Sequence, residues 1–310
     1  MATAQALETD LMRVGFILLL LPMVVAAELH VIAVEGLGGT EEYTQRFSEE
    51  VAKLELAAES ITTSEHMRVF AGEEATEENI LAHFDALAAI VNADDRVVIY
   101  LIGHGSYDGY EYKFNLPGPD LTGEQLVELL DALPSNNQLL VNTSSASGAT
   151  LDALTNETRV VITATRSGSE RNATRFGSSF VAALEDPAAD INKNNAISAQ
   201  EAFDYAARQV TDYFEFRGQL ATEHPQLKGE RAARFTLARL EVPEPAGDDP
   251  ELGLLFEQRD QLDGRIEELQ LRKDELTTDE YYTQLQQLLL ELARVGDRID
   301  QITEADDSAP

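Results

Sequence analysis

Apolar residues follow two rhythms along this chain. Between residues 28 and 240, short uninterrupted apolar runs alternate with amphipathic stretches. LHVIAV (29–34), RVVIYLI (96–102), QLLVN (138–142) and RVVITAT (159–165) are short and mostly rich in β-branched residues, which predicts strands. Helical spacing predicts helices over 41–57, 77–91, 121–133, 174–184 and 199–213, with Pro134 stopping the third. Strand and helix in alternation imply parallel pairing through right-handed crossovers. Runs that are apolar throughout imply a sheet covered on both faces. The expected unit is an α/β domain over 28–240.

The second rhythm follows EVPEPAGDDP (241–250), whose three prolines among acidic neighbours predict a linker. Leu255, Leu262, Leu269 and Leu276 then recur every seven residues, with Ile266 between them. Tyr281, Leu285, Leu288, Leu292, Val295, Ile299 and Ile302 step by four and three. A helical hairpin or coiled coil over 251–303 follows, packed on itself, on the main domain, or on another chain as an oligomerisation element. Residues 304–310 read as a polar disordered tail.

Residues 14–27 (VGFILLLLPMVVAA) are apolar but too short for a comfortable membrane span. Arg13 precedes the run, and Val25-Ala26-Ala27 offers a small-residue cleavage site before Glu28. A signal peptide over 1–27 is expected, leaving no transmembrane span after its removal. The protein would then be exported, to a bacterial periplasm or outside the cell.

Charge narrows the partners. The 310 residues carry 23 Lys plus Arg against 56 Asp plus Glu, a net charge of −33. Phosphate backbones need basic residues, so nucleic acid is excluded as a partner, and an anionic membrane surface is disfavoured. The chain has no cysteine, which removes disulfides, thiolate metal sites and a cysteine nucleophile. Export without disulfides points to a bacterial route.

Strand 96–102 runs into Gly103-His104-Gly105-Ser106, and strand 138–142 into Thr143-Ser144-Ser145-Ala146-Ser147-Gly148. Ligands of open parallel sheets bind beyond the carboxyl ends of the strands, so both segments belong on one edge. In this the chain resembles the legumain side of the caspase–legumain superfamily, the asparaginyl-endopeptidase family and its bacterial relatives. That family's hallmark is a strand ending in His-Gly and another ending in Ala-Cys-x-Ser-Gly. Alignment through Ser147-Gly148 puts Ser145 at the cysteine position and Ser144 at the alanine. Thr163-Ala164-Thr165, Ser167 to Glu170, Phe176-Gly177-Ser178-Ser179-Phe180, Glu201 to Ala206 and Ala221 to Leu227 extend the resemblance over roughly 28–230.

The resemblance implies a caspase-like three-layer sandwich, its mainly parallel central sheet flanked by helices. It also implies roles: His104 manages the proton, backbone N–H groups near Gly105 bind the oxyanion, and residue 145 attacks. A serine hydroxyl needs a closely coupled, oriented base that a cysteine site does not supply automatically. The reading is therefore a pseudopeptidase that binds peptide or protein in the old cleft. The alternative is a serine-type hydrolase using His104 and Ser145, with Ser144 as a substitute nucleophile. Arg166, Glu170 and Arg171, in the loop after strand 159–165, are candidate cleft residues. Neither reading requires a cofactor.

Residues 190–201 (DINKNNAISAQE) match EF-hand ligand spacing. Asp190, Asn192, Asn194, the Ala196 carbonyl, Ser198 and Glu201 would ligate calcium, with Asn195 at the usual glycine. Two charged ligands imply weak binding, and a calcium-modulated envelope protein is the third reading. A helix cap, Ser198 with Glu201 as its capping-box partner, explains the same residues without a metal.

Overall fold

The computed structural model describes residues 27–240, parts of 255–273, and residues 276–307. The predicted leader up to residue 26 and the predicted linker lie outside the described residues. In chain order the first elements are β1 (Leu29–Glu35), α1 (Glu41–Ala58), β2 (Met67–Phe70), α2 (Glu77–Ala88) and β3 (Arg96–Ile102). There follow β4 (Gly105–Tyr107), β5 (Tyr112–Phe114), β6 (Leu121–Thr122), α3 (Gly123–Ala132), β7 (Asn137–Asn142) and α4 (Leu151–Leu154). The rest are β8 (Arg159–Thr163), α5 (Phe176–Ala183), β9 (Ala196–Ser198), α6 (Ala199–Arg217), β10 (Gln226–Lys228), β11 (Thr236–Arg239) and α7 (Thr278–Asp307).

The central sheet has six strands in the order β10-β8-β7-β3-β1-β2. Every pairing is parallel except β10 on β8, which closes one edge antiparallel. All four predicted strands lie in it. Successive side chains alternate faces, so each apolar run feeds two cores. Val31, Ala33, Val98, Tyr100 and Ile102 pack under α1, α5 and α6. Ile32, Val34, Val97, Ile99 and Leu101 pack under α2, α3 and α4. The three layers are those the superfamily resemblance implied.

The elements missed by sequence are short ones. β2 has four residues on the sheet edge, only one of them buried. β4, β5 and β6 form a separate antiparallel ribbon directly after the His104 turn, and β9 pairs with β11. Residues 121 and 122, expected to be helical, belong to β6, and Thr122 caps α3 in a capping box with Gln125. The helix ends at Ala132 because Pro134 holds Leu133 extended, at ψ 129°.

In the C-terminal region, Leu262, Ile266 and Leu269 are buried with Tyr281 and Leu288 in one apolar cluster. Arg265 pairs with Glu291 at 3.6 Å, and Lys273 lies 5.6 Å from the Tyr281 ring centre. Those pairs run in opposite directions along the two segments, so they form an antiparallel hairpin. α7 continues to Asp307, so residues 304–307 are helical where a tail was expected. No helix among the described residues is long and apolar enough to cross a membrane.

Candidate active site

β3 and β7 are neighbours at the centre of the sheet, and their carboxyl ends bring the two sequence motifs together. Gly105 lies against the second turn. A Cβ there would sit 2.5 Å from the Ser145 carbonyl oxygen and 2.7 Å from Ser144 Oγ, so only glycine lets the strand ends approach. Gly148 does the same for the next loop, where a Cβ would sit 2.3 Å from the Arg166 carbonyl carbon. Between them Ala146 is left-handed, at φ 58°, and turns the chain sharply after Ser145. Its N–H donates to the Glu170 carbonyl at 2.8 Å, which fixes the turn.

The two serines are differently placed. Ser144 is fully buried, and its hydroxyl lies 2.6 Å from the Tyr112 hydroxyl and 2.8 Å from Asn142 Oδ1. It ties the turn to β5 and β7. Ser145 is buried at 3% exposure, and its hydroxyl has no hydrogen-bond partner among the described residues.

His104 is half-buried and its ring faces α1. It meets Tyr43 edge-on at 4.7 Å and Phe47 at 5.1 Å between centroids. Burial pushes its pKa down, Arg46 nearby pushes it further down, and a hydrogen bond to the Gly38 backbone opposes both. The neutral imidazole is thus favoured, and the imidazolium that general-base action creates is disfavoured. No carboxylate hydrogen-bonds to this ring among the described residues, so an acid does not orient it. Asp108, near in sequence, instead caps its own turn by accepting from the backbone of Tyr110 and Glu111.

Three further charged groups were not legible in sequence. The Arg46 guanidinium lies 4.8 Å from the Tyr43 ring centre and 5.0 Å from that of Phe47. Its Nε is 3.5 Å from the buried Glu50 carboxylate, which also accepts from Ser178 Oγ. Glu223 is buried beyond the start of α5 and accepts from the backbone N–H groups of Arg175 and Phe176. Burial raises the pKa of both glutamates against those bonds. Arg46 and Glu50 are spaced four apart like many solvated helix pairs, and nothing local distinguishes them.

The predicted cleft residues divide. Glu170 accepts from the backbone N–H of Arg166 at 2.9 Å and of His224 at 3.1 Å, and lies 2.6 Å from His224 Nδ1. Its carboxylate is therefore occupied within the protein, holding the loop after β8 to the segment before β10. Arg166 and Arg171 are exposed on that loop.

The 190–201 residues gather in one turn, with Lys193 and Asn195 left-handed. Asp190 accepts from the N–H groups of Asn194 and Asn195. Asn192 and Asn194 accept from the N–H groups of Asn194 and Ala196. Glu201 accepts from Ile191 and Asn192 with one oxygen and from Ser198 with the other. The capping box of Ser198 and Glu201 is fully formed.

Residues 42–226, more than half the chain, match the Peptidase C13 family. No curated protein matches. Among solved structures, the protein GSU0716 from Geobacter sulfurreducens is similar, with 11% identity and a TM-score of 0.46. That likeness covers 69% of this chain and 100% of the other. The matched span holds both strand-end motifs and the paired strands β3 and β7 that carry them, and by it the chain belongs to the Peptidase C13 family, the legumain-like branch of the caspase-like fold.

Proposed function

We propose that this protein is an exported pseudopeptidase of the C13 family, which holds a peptide or protein segment in the inherited cleft without cleaving it. The observation that supports this is the setting of His104, the base that Ser145 would need, against Tyr43, Phe47 and Arg46. A serine needs its proton taken by a base that tolerates the resulting charge. Here the Ser145 hydroxyl has no partner among the described residues, and the half-buried imidazole lies near a cation where the triads of serine hydrolases place an anion. Ser144 is unsuited to replace it, because its hydroxyl is committed to Tyr112 and Asn142. Arg166 and Arg171 offer exposed charge to a bound acidic segment beside the turn.

Labelling with a fluorophosphonate probe, read by intact mass, tests the reading. The expected result is no adduct. A stoichiometric adduct lost in both Ser145→Ala and His104→Ala would instead establish a serine hydrolase. Export is tested by N-terminal sequencing of protein secreted from a bacterial host, with Glu28 as the expected first residue. The Glu28 backbone nitrogen lies 2.9 Å from Asp95 Oδ1, so cleavage there would replace the amide donor by a charged amine and turn the bond into an ion pair.

We read the 190–201 turn as a helix cap rather than a calcium switch, because each oxygen of Asp190 and Glu201 already accepts a protein donor. The C-terminal hairpin leaves Leu289, Leu290 and Tyr282 exposed, and we assign it to contact with other chains. Light scattering of the full chain against a truncation at residue 240 measures that contribution.

A further inference from the structure

The end of the sheet opposite the candidate active site holds a second cluster of reactive side chains. Two of the chain's five histidines, His30 and His66, meet near the start of β1 and β2, with ring centroids 4.8 Å apart. β1 is seven residues long, which puts this cluster roughly 20 Å from the strand end that leads to the active site. His30 is 5% exposed, yet its Nε2 has no hydrogen-bond partner. The Nδ1 of His66 is likewise buried without one. Both point at the same oxygen: Glu28 Oε2 lies 3.9 Å from His30 Nε2 and 3.4 Å from His66 Nδ1. Buried polar atoms are nearly always paired, so two unmet imidazole nitrogens around one carboxylate call for a shared ligand.

We propose that Glu28, His30 and His66 form a binding site for a divalent transition-metal ion of the zinc class. The three ligand atoms lie within 4.8 Å of one another. Tetrahedral zinc, with bonds of about 2.0–2.1 Å, sets its ligand atoms roughly 3.4 Å apart. Glu28 is half-exposed, so its side chain can rotate to close the difference and leaves a way in from solvent. Two imidazoles and one carboxylate are borderline ligands that favour zinc over magnesium or calcium. Three protein ligands leave the fourth position to water or to a group from a partner.

The surroundings are built for this. Val31 donates its N–H to the His66 carbonyl at 2.9 Å, locking the two histidines in register. Asp95 takes the Glu28 N–H on one oxygen and the Asn92 N–H on the other, so it fixes the backbone that presents Glu28.

The test is zinc titration of the metal-stripped full chain against a chromophoric chelator, with cobalt absorption as a geometric readout. The expected result is one saturable equivalent, with intense tetrahedral cobalt bands. His66→Ala should weaken binding at least about 100-fold and Glu28→Gln about 10-fold, with the bands lost or weakened. Urea midpoints of the metal-free variants show that they fold. His224→Ala should bind as the wild type does. Binding without saturation at one equivalent, or unchanged in His66→Ala, or lost in His224→Ala, would overturn the assignment.

Discussion

Replacing Gly105 by alanine is the sharpest probe of the candidate site, because one methyl group meets three fixed objects. The added Cβ would sit 2.5 Å from the Ser145 carbonyl oxygen, 2.7 Å from Ser144 Oγ and 2.8 Å from Tyr112 Cε2. None can retreat cheaply. The carbonyl belongs to the turn that Ala146 pins to Glu170 at 2.8 Å. Ser144 and Tyr112 are buried and bonded to each other at 2.6 Å. Overpacking of a rigid site costs about 1–3 kcal/mol, and losing the buried hydroxyl pair adds about 1 kcal/mol. The sum, about 2–4 kcal/mol, lowers the melting temperature by roughly 4–16 °C for a domain of this size. Gly123→Ala is the control. It begins α3, and its Cβ would meet nothing closer than 3.5 Å, so it should stay within about 0.5 kcal/mol of wild type. Urea unfolding followed by circular dichroism measures both. Wild-type stability in Gly105→Ala would show that the two strand ends do not meet as described.

Arg159 is buried, and its guanidinium bonds Gln138, the Leu154 carbonyl and Asp131, so Arg159→Ala should cost about 3–5 kcal/mol by urea unfolding. Asp131→Ala leaves that buried guanidinium without its carboxylate and should cost more than an exposed pair does, about 1–3 kcal/mol. Burial raises the Glu50 pKa above its unfolded value, so the folded state binds that proton more tightly and stability falls as pH rises through the interval between them. The wild-type advantage over Glu50→Gln should therefore shrink as pH climbs above about 4.3, and growth of that advantage would contradict the assignment. Ser198→Ala should lose about 1 kcal/mol through its capping box. Millimolar calcium should leave the melting temperature of both proteins unchanged.

The sheet was legible because its central strands are buried on both faces and so read as unbroken apolar runs. Val97 to Ile102 can be nothing else at that length. That the two motif turns meet on one sheet edge was legible for the same reason: His104 and Ser145 stand just after strands that pair. Short elements were not legible, because β2 and β4 to β6 take their shape from neighbours rather than from their own pattern. Nor were Glu50 and Glu223, whose burial comes from α5 and its flanking loop, more than a hundred residues away from Glu50 in sequence. The bonds between Glu170 and His224 were not legible either, since a charged loop residue looks the same whether it faces a ligand or accepts from His224.

The order of the sheet has a consequence for how the molecule opens. β3 and β7 each have two strand neighbours, while β2 and β10 close the sheet with four and three residues. Local opening starts where few contacts must break, so amide exchange should begin at those borders and reach β3 and β7 only on global unfolding. The turns after β3 and β7 therefore stand on the slowest-exchanging part of the domain. A segment that docks there meets a surface already ordered and loses little affinity to ordering the receptor. Retaining a nucleophile would not be needed to keep such a surface in place.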